Sequence, residues 1–258
     1  MTDAVPVYLT SPSRVRRVPL DRPWTWLAAG WRDLTQSPGI SLLFGSLLVV
    51  LSALLTIGLL LTGLVYLLLP LAAGFFFVAP LLAVCLYEVS RRHETGGSIS
   101  VGEALFAWRR NGTQILWMGM ILMLLHLAWV RVATLLFALF FHDTAPPLER
   151  LVELTLFSPM SLPFLAIGTI TGAVLAAIAF GIGVVSIPML LDRDVSVFTA
   201  IATSWRVASE NVRPMALWAA LIVVFTSFGI ATFYLGLAIV VPLIGYASWH
   251  AYRDLVEP

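Results

Sequence analysis

Two ionisable residues, His126 and Arg131, stand inside a long apolar run that begins near Thr113. At 1.5 Å per helical residue, His126 lies about 20 Å and Arg131 about 27 Å along this run. Ionisable groups at such a depth in a membrane helix are costly and often functional. The pair defines a candidate intramembrane polar site. Arg131 either binds an anion or lipid headgroup there or reaches the outer headgroups by snorkelling.

A haem or metal site at His126 would need a second ligand at a similar depth. The remaining histidines, His93, His142 and His250, all fall near the ends of apolar runs. The sequence also lacks nucleotide-binding loops, CxxC pairs, and the HExxH and GxSxG motifs. We therefore expect no catalytic residue, no metal site and no cofactor, and we expect that the chain is not an enzyme.

The chain as a whole is too apolar for a soluble domain. Of its 258 residues, 60% are hydrophobic and 11% are charged, whereas soluble domains average about 45–50% and about 25%. Such an excess of apolar side chains cannot be buried in one core. The composition predicts an integral membrane protein whose partner is the lipid bilayer and which binds no nucleic acid.

Six apolar runs are long enough to cross a bilayer as helices. They cover about 39–61, 64–87, 113–141, 162–190, 214–231 and 233–250. Only two residues separate the first run from the second, which predicts a tight helical hairpin. The predicted fold is an all-α polytopic membrane protein with six transmembrane helices arranged as three hairpins. Pro188 and Pro242, within the fourth and sixth runs, are expected to kink their helices.

The arginines predict the orientation of these spans. In a six-span arrangement thirteen arginines fall on one side of the membrane and only Arg150 falls on the other. Because basic residues favour the cytoplasmic side, both termini are predicted to be cytoplasmic. Glu88, at the end of the second run, stands one turn before Arg91 and Arg92, so either an ion pair or a solvated helix end is expected there.

A small residue, a tryptophan and an arginine recur together at three places in the chain. The three pairs are Trp31–Arg32, Trp108–Arg109 and Trp205–Arg206. Each tryptophan is preceded by residues at the spacing of one apolar helix face. Turn-forming residues then follow at Ser37-Pro38-Gly39, Asn111-Gly112 and Arg213-Pro214, just before a span. We interpret each pair as the interfacial anchor of a short amphipathic helix that precedes a hairpin.

This unit predicts the domain organisation. Three pseudo-repeats cover about 21–90, 98–190 and 194–252, and the second opens with a capping-box pattern from Ser100 to Glu103. The second repeat carries an additional segment, 142–161, that is expected to form a short helix on the outer surface. Residues 1–20 are predicted to be a flexible cytoplasmic N-terminus, and residues 21–258 a single membrane domain.

Several segments taken together resemble a known family. They are GWRDL, YEVSRRHETGG, EALFAWRRNGTQILWMG, LAWVRVATLLFALFF, SIPMLLDRDV and WHAYRDLV. Over roughly residues 20–256 the chain resembles a proteobacterial family of predicted integral membrane proteins catalogued as a domain of unknown function. The resemblance implies a multi-pass protein of the bacterial inner membrane and implies no established activity.

These observations lead to three alternative functions, the third of which is a membrane enzyme or redox subunit. The first is an integral membrane protein without catalytic chemistry, which is an accessory, assembly or organising partner of another membrane complex. The second is a transporter or lipid-handling protein that uses kinked helices around His126. The small-residue row Gly168, Gly172 and Ala176 fits either a packed central helix or a contact in a homo-oligomer.

Overall fold

The computed structural model describes residues 13–64, 71, 83–141 and 156–257. Apart from one isolated antiparallel bridge between Val15 and Val256, these residues form helices and the segments that join them. The helices are α1 (Arg22–Gln36), α2 (Pro38–Leu61), α3 (Val84–Glu94), α4 (Val101–Leu105), a 3₁₀ turn (Ala107–Asn111), α5 (Gly112–Phe140), α6 (Ser161–Gly183), α7 (Ser186–Asp192), α8 (Val197–Glu210), α9 (Val212–Ala231) and α10 (Leu237–Leu255).

Four stretches of the described chain are long and apolar enough to cross a membrane. They are Pro38–Leu61, Ala107–Phe140, Ser161–Asp192 and Val212–Ala231. They coincide with the first, third, fourth and fifth predicted runs, so the all-α membrane class is confirmed. Most of the second run, 64–87, lies outside the described residues, as does most of the predicted outer segment 142–161.

The sixth predicted run forms the helix α10, but α10 is not apolar along its whole length. Its last two turns carry His250, Arg253 and Asp254, which lowers its mean hydropathy below that of the four spans. The helix packs against α1, α2, α3 and α9, and the side chains of Tyr246, Trp249 and Tyr252 are fully buried. A helix that is surrounded by protein can carry polar groups that lipid would exclude, and the number of six spans stays a prediction.

Close packing around α10 depends on two glycines. A Cβ on Gly45 of α2 would lie 2.0 Å from the carbonyl oxygen of Ala238, and a Cβ on Gly30 of α1 would lie 2.7 Å from the backbone nitrogen of Ala247. Pro242 has no N–H, so the carbonyl of Ala238 lacks its helical donor. Because Gly45 has no side chain, α2 can cover this carbonyl at short range.

The kink expected at Pro188 is present as a break in the helix between α6 and α7. A proline ring clashes with the carbonyl four residues earlier, which here belongs to Val184, and the helix is interrupted at Val184–Val185. Ser204 of α8 stabilises the break: its hydroxyl donates to the Gly181 carbonyl at 2.8 Å and accepts from the Val185 N–H at 3.3 Å.

Each of the three Trp-Arg pairs is followed by a junction with the same backbone geometry. Ser37, Asn111 and Asn211 have φ between −139° and −124° and ψ between 40° and 60°. A span begins directly after each of them. The third break was predicted at Arg213-Pro214 and is found two residues earlier, because the first turn of a helix accommodates proline without losing a hydrogen bond.

The middle unit departs from its two counterparts. The predicted capping box is confirmed, since Ser100 accepts from the Glu103 N–H and Glu103 accepts from the Ser100 N–H. The helix α4 that it starts has only five residues. Trp108 therefore lies on the following 3₁₀ turn, and the prediction of an α-helix through Trp108 is wrong. Asn111 follows Trp108 by three residues, whereas the other two junctions follow their tryptophans by six.

The N-terminal strap, residues 13–18, runs across the ends of several helices. The Arg16 N–H donates to the Leu255 carbonyl at 2.8 Å, and the Glu257 N–H donates to the Arg14 carbonyl at 3.1 Å. The side chain of Asn211 accepts from the Val18 N–H at 2.9 Å. These bonds connect the strap to the end of α10 and to the start of α9. Residues 1–12 of the predicted flexible N-terminus lie outside the described residues.

Candidate functional site

The ends of α1, α3 and α10 meet at the carboxylate of Asp33. Its Oδ2 accepts from Nε2 of His250 at 2.8 Å and from Oγ of Ser90 at 2.5 Å, and its Oδ1 accepts from Nδ1 of His93 at 3.1 Å. Asp33 and Ser90 are buried. We call Asp33, Ser90, His93 and His250 the Asp33 cluster.

Helical periodicity explains why these side chains lie on the faces of α1 and α3 that meet at the site. Asp33 stands three residues after Gly30, on the same face of α1, and Gly30 allows that face to approach the backbone of α10 closely. Ser90 and His93 have the same three-residue spacing on α3. The site is therefore formed by one residue from α1, two neighbouring residues from α3 and one from α10.

Burial acts against the ionised form of the Asp33 carboxyl and by itself would raise its pKa. Hydrogen bonds from His250, Ser90 and His93 favour the anion, and together with the charge of His250 they hold the pKa of Asp33 below its ordinary value. Asp33 is therefore a buried carboxylate anion at neutral pH. An anion of this kind stabilises the three helices only while its donors stay in place.

The cluster borders a small polar pocket of about 200 Å³. The pocket is lined by Ala29, Arg32, Asp33, Gln36, His93, Glu94 and His250. Nδ1 of His250 lies 3.8 Å from Glu94, which also pairs with Arg253 at 3.1 Å. Among the described residues, no group of three or more His, Cys, Asp or Glu side chains is arranged to hold a metal ion.

The order of the groups in the Asp33 cluster differs from that of a nucleophilic triad. In a nucleophilic triad an imidazole lies between the serine and the carboxylate and takes the serine proton. Here the carboxylate lies between Ser90 and the imidazoles, and Ser90 is fully buried. Ser90 is thus a buried hydrogen-bond donor to the carboxylate, and it has no imidazole beside it in the order that such a triad requires.

A second buried carboxylate, Glu88, lies one helical turn before the arginines of α3. It accepts two hydrogen bonds from Arg91, at 2.6 and 2.7 Å, and one from Arg92 at 3.0 Å. Burial acts to raise the pKa of Glu88, but the two arginines outweigh it and the pKa is lowered. The ion-pair alternative for Glu88 is confirmed, and both arginines take part.

A third cluster connects α7 to the end of α10. The hydroxyl of Tyr252 donates to Asp192 at 2.7 Å and accepts from Nε of Arg193 at 3.0 Å. Burial, followed by the neighbouring carboxylate of Asp192, raises the pKa of the Tyr252 hydroxyl. Together the three clusters bring one end of the helix bundle into a single polar layer.

The three predicted anchor tryptophans are exposed. Trp31 is 50%, Trp108 39% and Trp205 51% accessible. On α1 the side chain that enters the core is instead Trp26, whose ring lies edge-on to Trp218 of α9 at 5.8 Å. The three tryptophans therefore lie on the outer surface of the protein, whereas Leu27 and Ala104, on the same predicted apolar faces, are buried. The anchoring role of the tryptophans stays a prediction.

The three anchor arginines differ in their surroundings. Arg206 pairs with Glu210 at 3.1 Å. Arg32 and Arg109 are exposed and form no ion pair with a described residue. The guanidinium of Arg109 lies 4.5 Å from the ring centre of Phe106.

The two intramembrane candidates, His126 and Arg131, both lie on α5. Five residues of an α-helix turn the chain by about 140° beyond one full turn, so the two side chains point in different directions. His126 is partly buried and Arg131 is exposed, and neither lines the groove between α2 and α5 or the pocket beside Asp33. A shared role for them stays a prediction.

Sequence reasoning missed the Asp33 cluster, although one local signal was present. Asp33 follows Trp26 by seven residues and Gly30 by three, so a charged residue falls on the buried face of α1. A carboxylate on such a face requires donors from other helices. The sequence of α1 alone does not predict which residues of other helices are those donors, namely His93 and His250.

These features define a class of protein: an all-helical integral membrane protein whose described part carries four apolar spans and a polar layer at one end. Residues 67–192 match the model of a family described as "Predicted integral membrane protein (DUF2189)". The match confirms, over these residues, the family resemblance seen in the sequence. Comparison with curated proteins and with solved structures finds no match.

Proposed function

We propose that this chain is a six-span protein of the bacterial inner membrane that performs no chemistry of its own and acts as an accessory or organising partner of a membrane complex. The observation that carries the proposal is the exposure of its spans. In their most apolar windows, 17% of Pro38–Leu61 and 6% of Ala107–Phe140 are buried, against 56% of Ser161–Asp192. Most residues of these two windows therefore keep surface that the described part of the chain does not cover and that lipid or other helices can contact.

The helix α6 supports a protein partner in addition to lipid. Ala173, Ala176 and Ala177 are exposed on it, and a Cβ on Gly168 would meet nothing within 4 Å. Small residues on a membrane helix let the backbone of a second helix approach closely. Gly172, in the same row, is already covered by the ring of Trp129, whereas the described residues leave Gly168 and the three alanines accessible.

The arginines support the cytoplasmic placement of the polar layer. Those at this end that form no ion pair with a described residue are Arg14, Arg16, Arg17, Arg32, Arg109 and Arg213, and all of them are exposed. Basic residues next to spans are retained on the cytoplasmic side. The N-terminal strap and the end of α10 lie together in this layer, since their backbones are hydrogen-bonded to each other.

The orientation is tested by labelling single cysteines in intact and in opened cells. The only cysteine, Cys85, is first replaced by serine. Arg17→Cys and Arg213→Cys should react with an impermeant maleimide only after the cells are opened. Phe233→Cys, in the exposed turn between α9 and α10, should react in intact cells. Labelling of Arg17→Cys in intact cells would reverse the proposed orientation.

The partner is tested with a photo-crosslinking amino acid at Ala173 or Ala177, in cells that express the full chain at native level. We expect one discrete protein adduct from both positions and none from Leu54, an exposed position on α2 that serves as the matched control. An adduct with a second copy of the chain would identify the partner as a homo-oligomer. Lipid adducts alone at all three positions would refute the organising role.

A further inference from the structure

A groove between α2 and α5 goes beyond the proposed function, because it presents a binding site for a small molecule. It has a volume of about 480 Å³. Among the side chains that line it are Phe44, Leu47, Leu51, Leu105, Trp108 and Leu116. Its walls are almost entirely apolar, and they come from the spans α2 and α5 and also from α3, α4, the 3₁₀ turn and α10. A groove of this kind, at membrane depth and open at its side, accommodates a flexible hydrocarbon chain.

The charge at one end of the groove indicates the headgroup. Trp108 is a wall of the groove, and the guanidinium of Arg109 lies 5.7 Å from its ring centre and 4.5 Å from that of Phe106. Arg109 is exposed, and no described carboxylate pairs with it. A guanidinium held over aromatic rings keeps its charge and its donors, which suit the oxygens of a phosphate.

We propose that an anionic phospholipid binds here, with an acyl chain in the groove between α2 and α5 and its headgroup phosphate on Arg109. The apolar walls and the unpaired cation lie next to each other, as the two parts of such a lipid do. The proposal depends on the position of the two spans and is independent of whether the chain has a protein partner.

The third Trp-Arg pair provides an internal control. The ring of Trp205 lies against Gly181 of α6, where a Cβ would be 3.0 Å from it. Its neighbour Arg206 is already paired with Glu210 at 3.1 Å. In this unit the tryptophan ring is packed on α6 and the arginine is already paired, so we infer no lipid site there.

The test is native mass spectrometry of the delipidated full chain, titrated with phosphatidylglycerol or with phosphatidylcholine that carries identical acyl chains. We expect tighter binding of phosphatidylglycerol. Arg109→Gln should weaken it about fivefold, because one basic residue near a membrane surface contributes about 1 kcal/mol to the binding of an anionic lipid. Arg206→Gln should leave it unchanged, and Arg109→Lys should retain most of it. Equal effects of the two glutamine variants would overturn the assignment of the headgroup to Arg109.

Two further experiments distinguish the contribution of the acyl chain to binding from that of the phosphate. Leu51→Trp fills the groove and should weaken binding of both lipids, while Leu54→Trp, on the same helix but outside the groove lining, should not. Inorganic phosphate at millimolar concentration should fail to displace the lipid. Displacement by phosphate, or normal binding to Leu51→Trp, would show a simple anion site without an acyl groove and would overturn the proposal.

Discussion

Asp33 and His250 are separated by 217 positions in the chain, yet Asp33 Oδ2 and His250 Nε2 lie 2.8 Å apart. With His93 on the other carboxylate oxygen, this contact connects the first helix, the end of the second apolar run and the last helix. One buried anion thus connects three helices within the polar layer at this end of the molecule.

Replacing Asp33 by alanine should destabilise the protein strongly. The substitution leaves Ser90 and two imidazoles without their common acceptor, and removing one partner of a buried charged pair costs about 3 kcal/mol or more. The loss is measured as a lower midpoint of thermal unfolding in mild detergent, followed by tryptophan fluorescence. Asp21→Ala, at the exposed start of the same helix, where no side-chain cap forms, is the control and should change the midpoint little. Equal shifts in the two variants would contradict a role for the cluster.

Acid should destabilise the protein through the same residue. The pKa of Asp33 is lower in the folded chain than its ordinary value, so its contribution is complete above the unfolded pKa of about 3.9 and is lost as the pH falls through the folded pKa. Unfolding midpoints recorded from pH 7 to pH 2.5 should fall most steeply below about pH 4. The Asp33→Asn variant should start lower and fall less steeply over this range, although Glu88 and Asp254, whose pKa values are also lowered, keep part of the slope. An unchanged slope would show that Asp33 is not the responsible group.

Two glycines of the same helix should respond in opposite ways to alanine. At Gly45 a Cβ would lie 2.0 Å from the Ala238 carbonyl oxygen, so α2 and α10 must separate, at a cost of about 1–3 kcal/mol. At Gly58 a Cβ meets nothing within 4 Å, and alanine should stabilise the helix by about 0.5–1 kcal/mol. Denaturant or thermal unfolding of the two variants measures the difference. A tolerated Gly45→Ala would show that the two helices are not in close contact.

The N-terminal strap should be released by a distant substitution. Asn211 accepts from the Val18 N–H and donates to the Arg16 carbonyl, and losing two such bonds should raise local opening roughly tenfold. Trypsin cleavage after the exposed residues Arg14, Arg16 and Arg17 reports this opening, so Asn211→Ala should be cut about tenfold faster. Asn111→Ala, which alters the equivalent junction of the second unit, should be cut at the parental rate, because Asn111 bonds the carbonyls of residues 193 and 195. Equal cleavage of both variants would mean that Asn211 does not hold the strap.

Local features of the chain were predictable because their physical causes lie within a few residues. The capping box at Ser100 and the pairing of Glu88 with Arg91 and Arg92 each need only a spacing of three or four positions on one helix. The 3₁₀ turn at Trp108 was not predictable in the same way. The middle unit has the same apolar periodicity as the other two units. However, Asn111 follows Trp108 by only three residues, and the chain there forms a 3₁₀ turn instead of the α-helix that the periodicity predicts.

The sequence by itself determined where four apolar spans lie, because transfer from water to lipid depends on the side chains of one continuous segment. Only the tertiary structure decided which side chains of the helices, including those of α1, are buried. Trp26 packs in the core while Trp31 is exposed, and Asp33 finds donors on α3 and α10. Which side chains are buried depends on how closely helices that are distant in sequence approach one another. Gly30 and Gly45 permit this close approach, and the sequence of any one segment does not predict it.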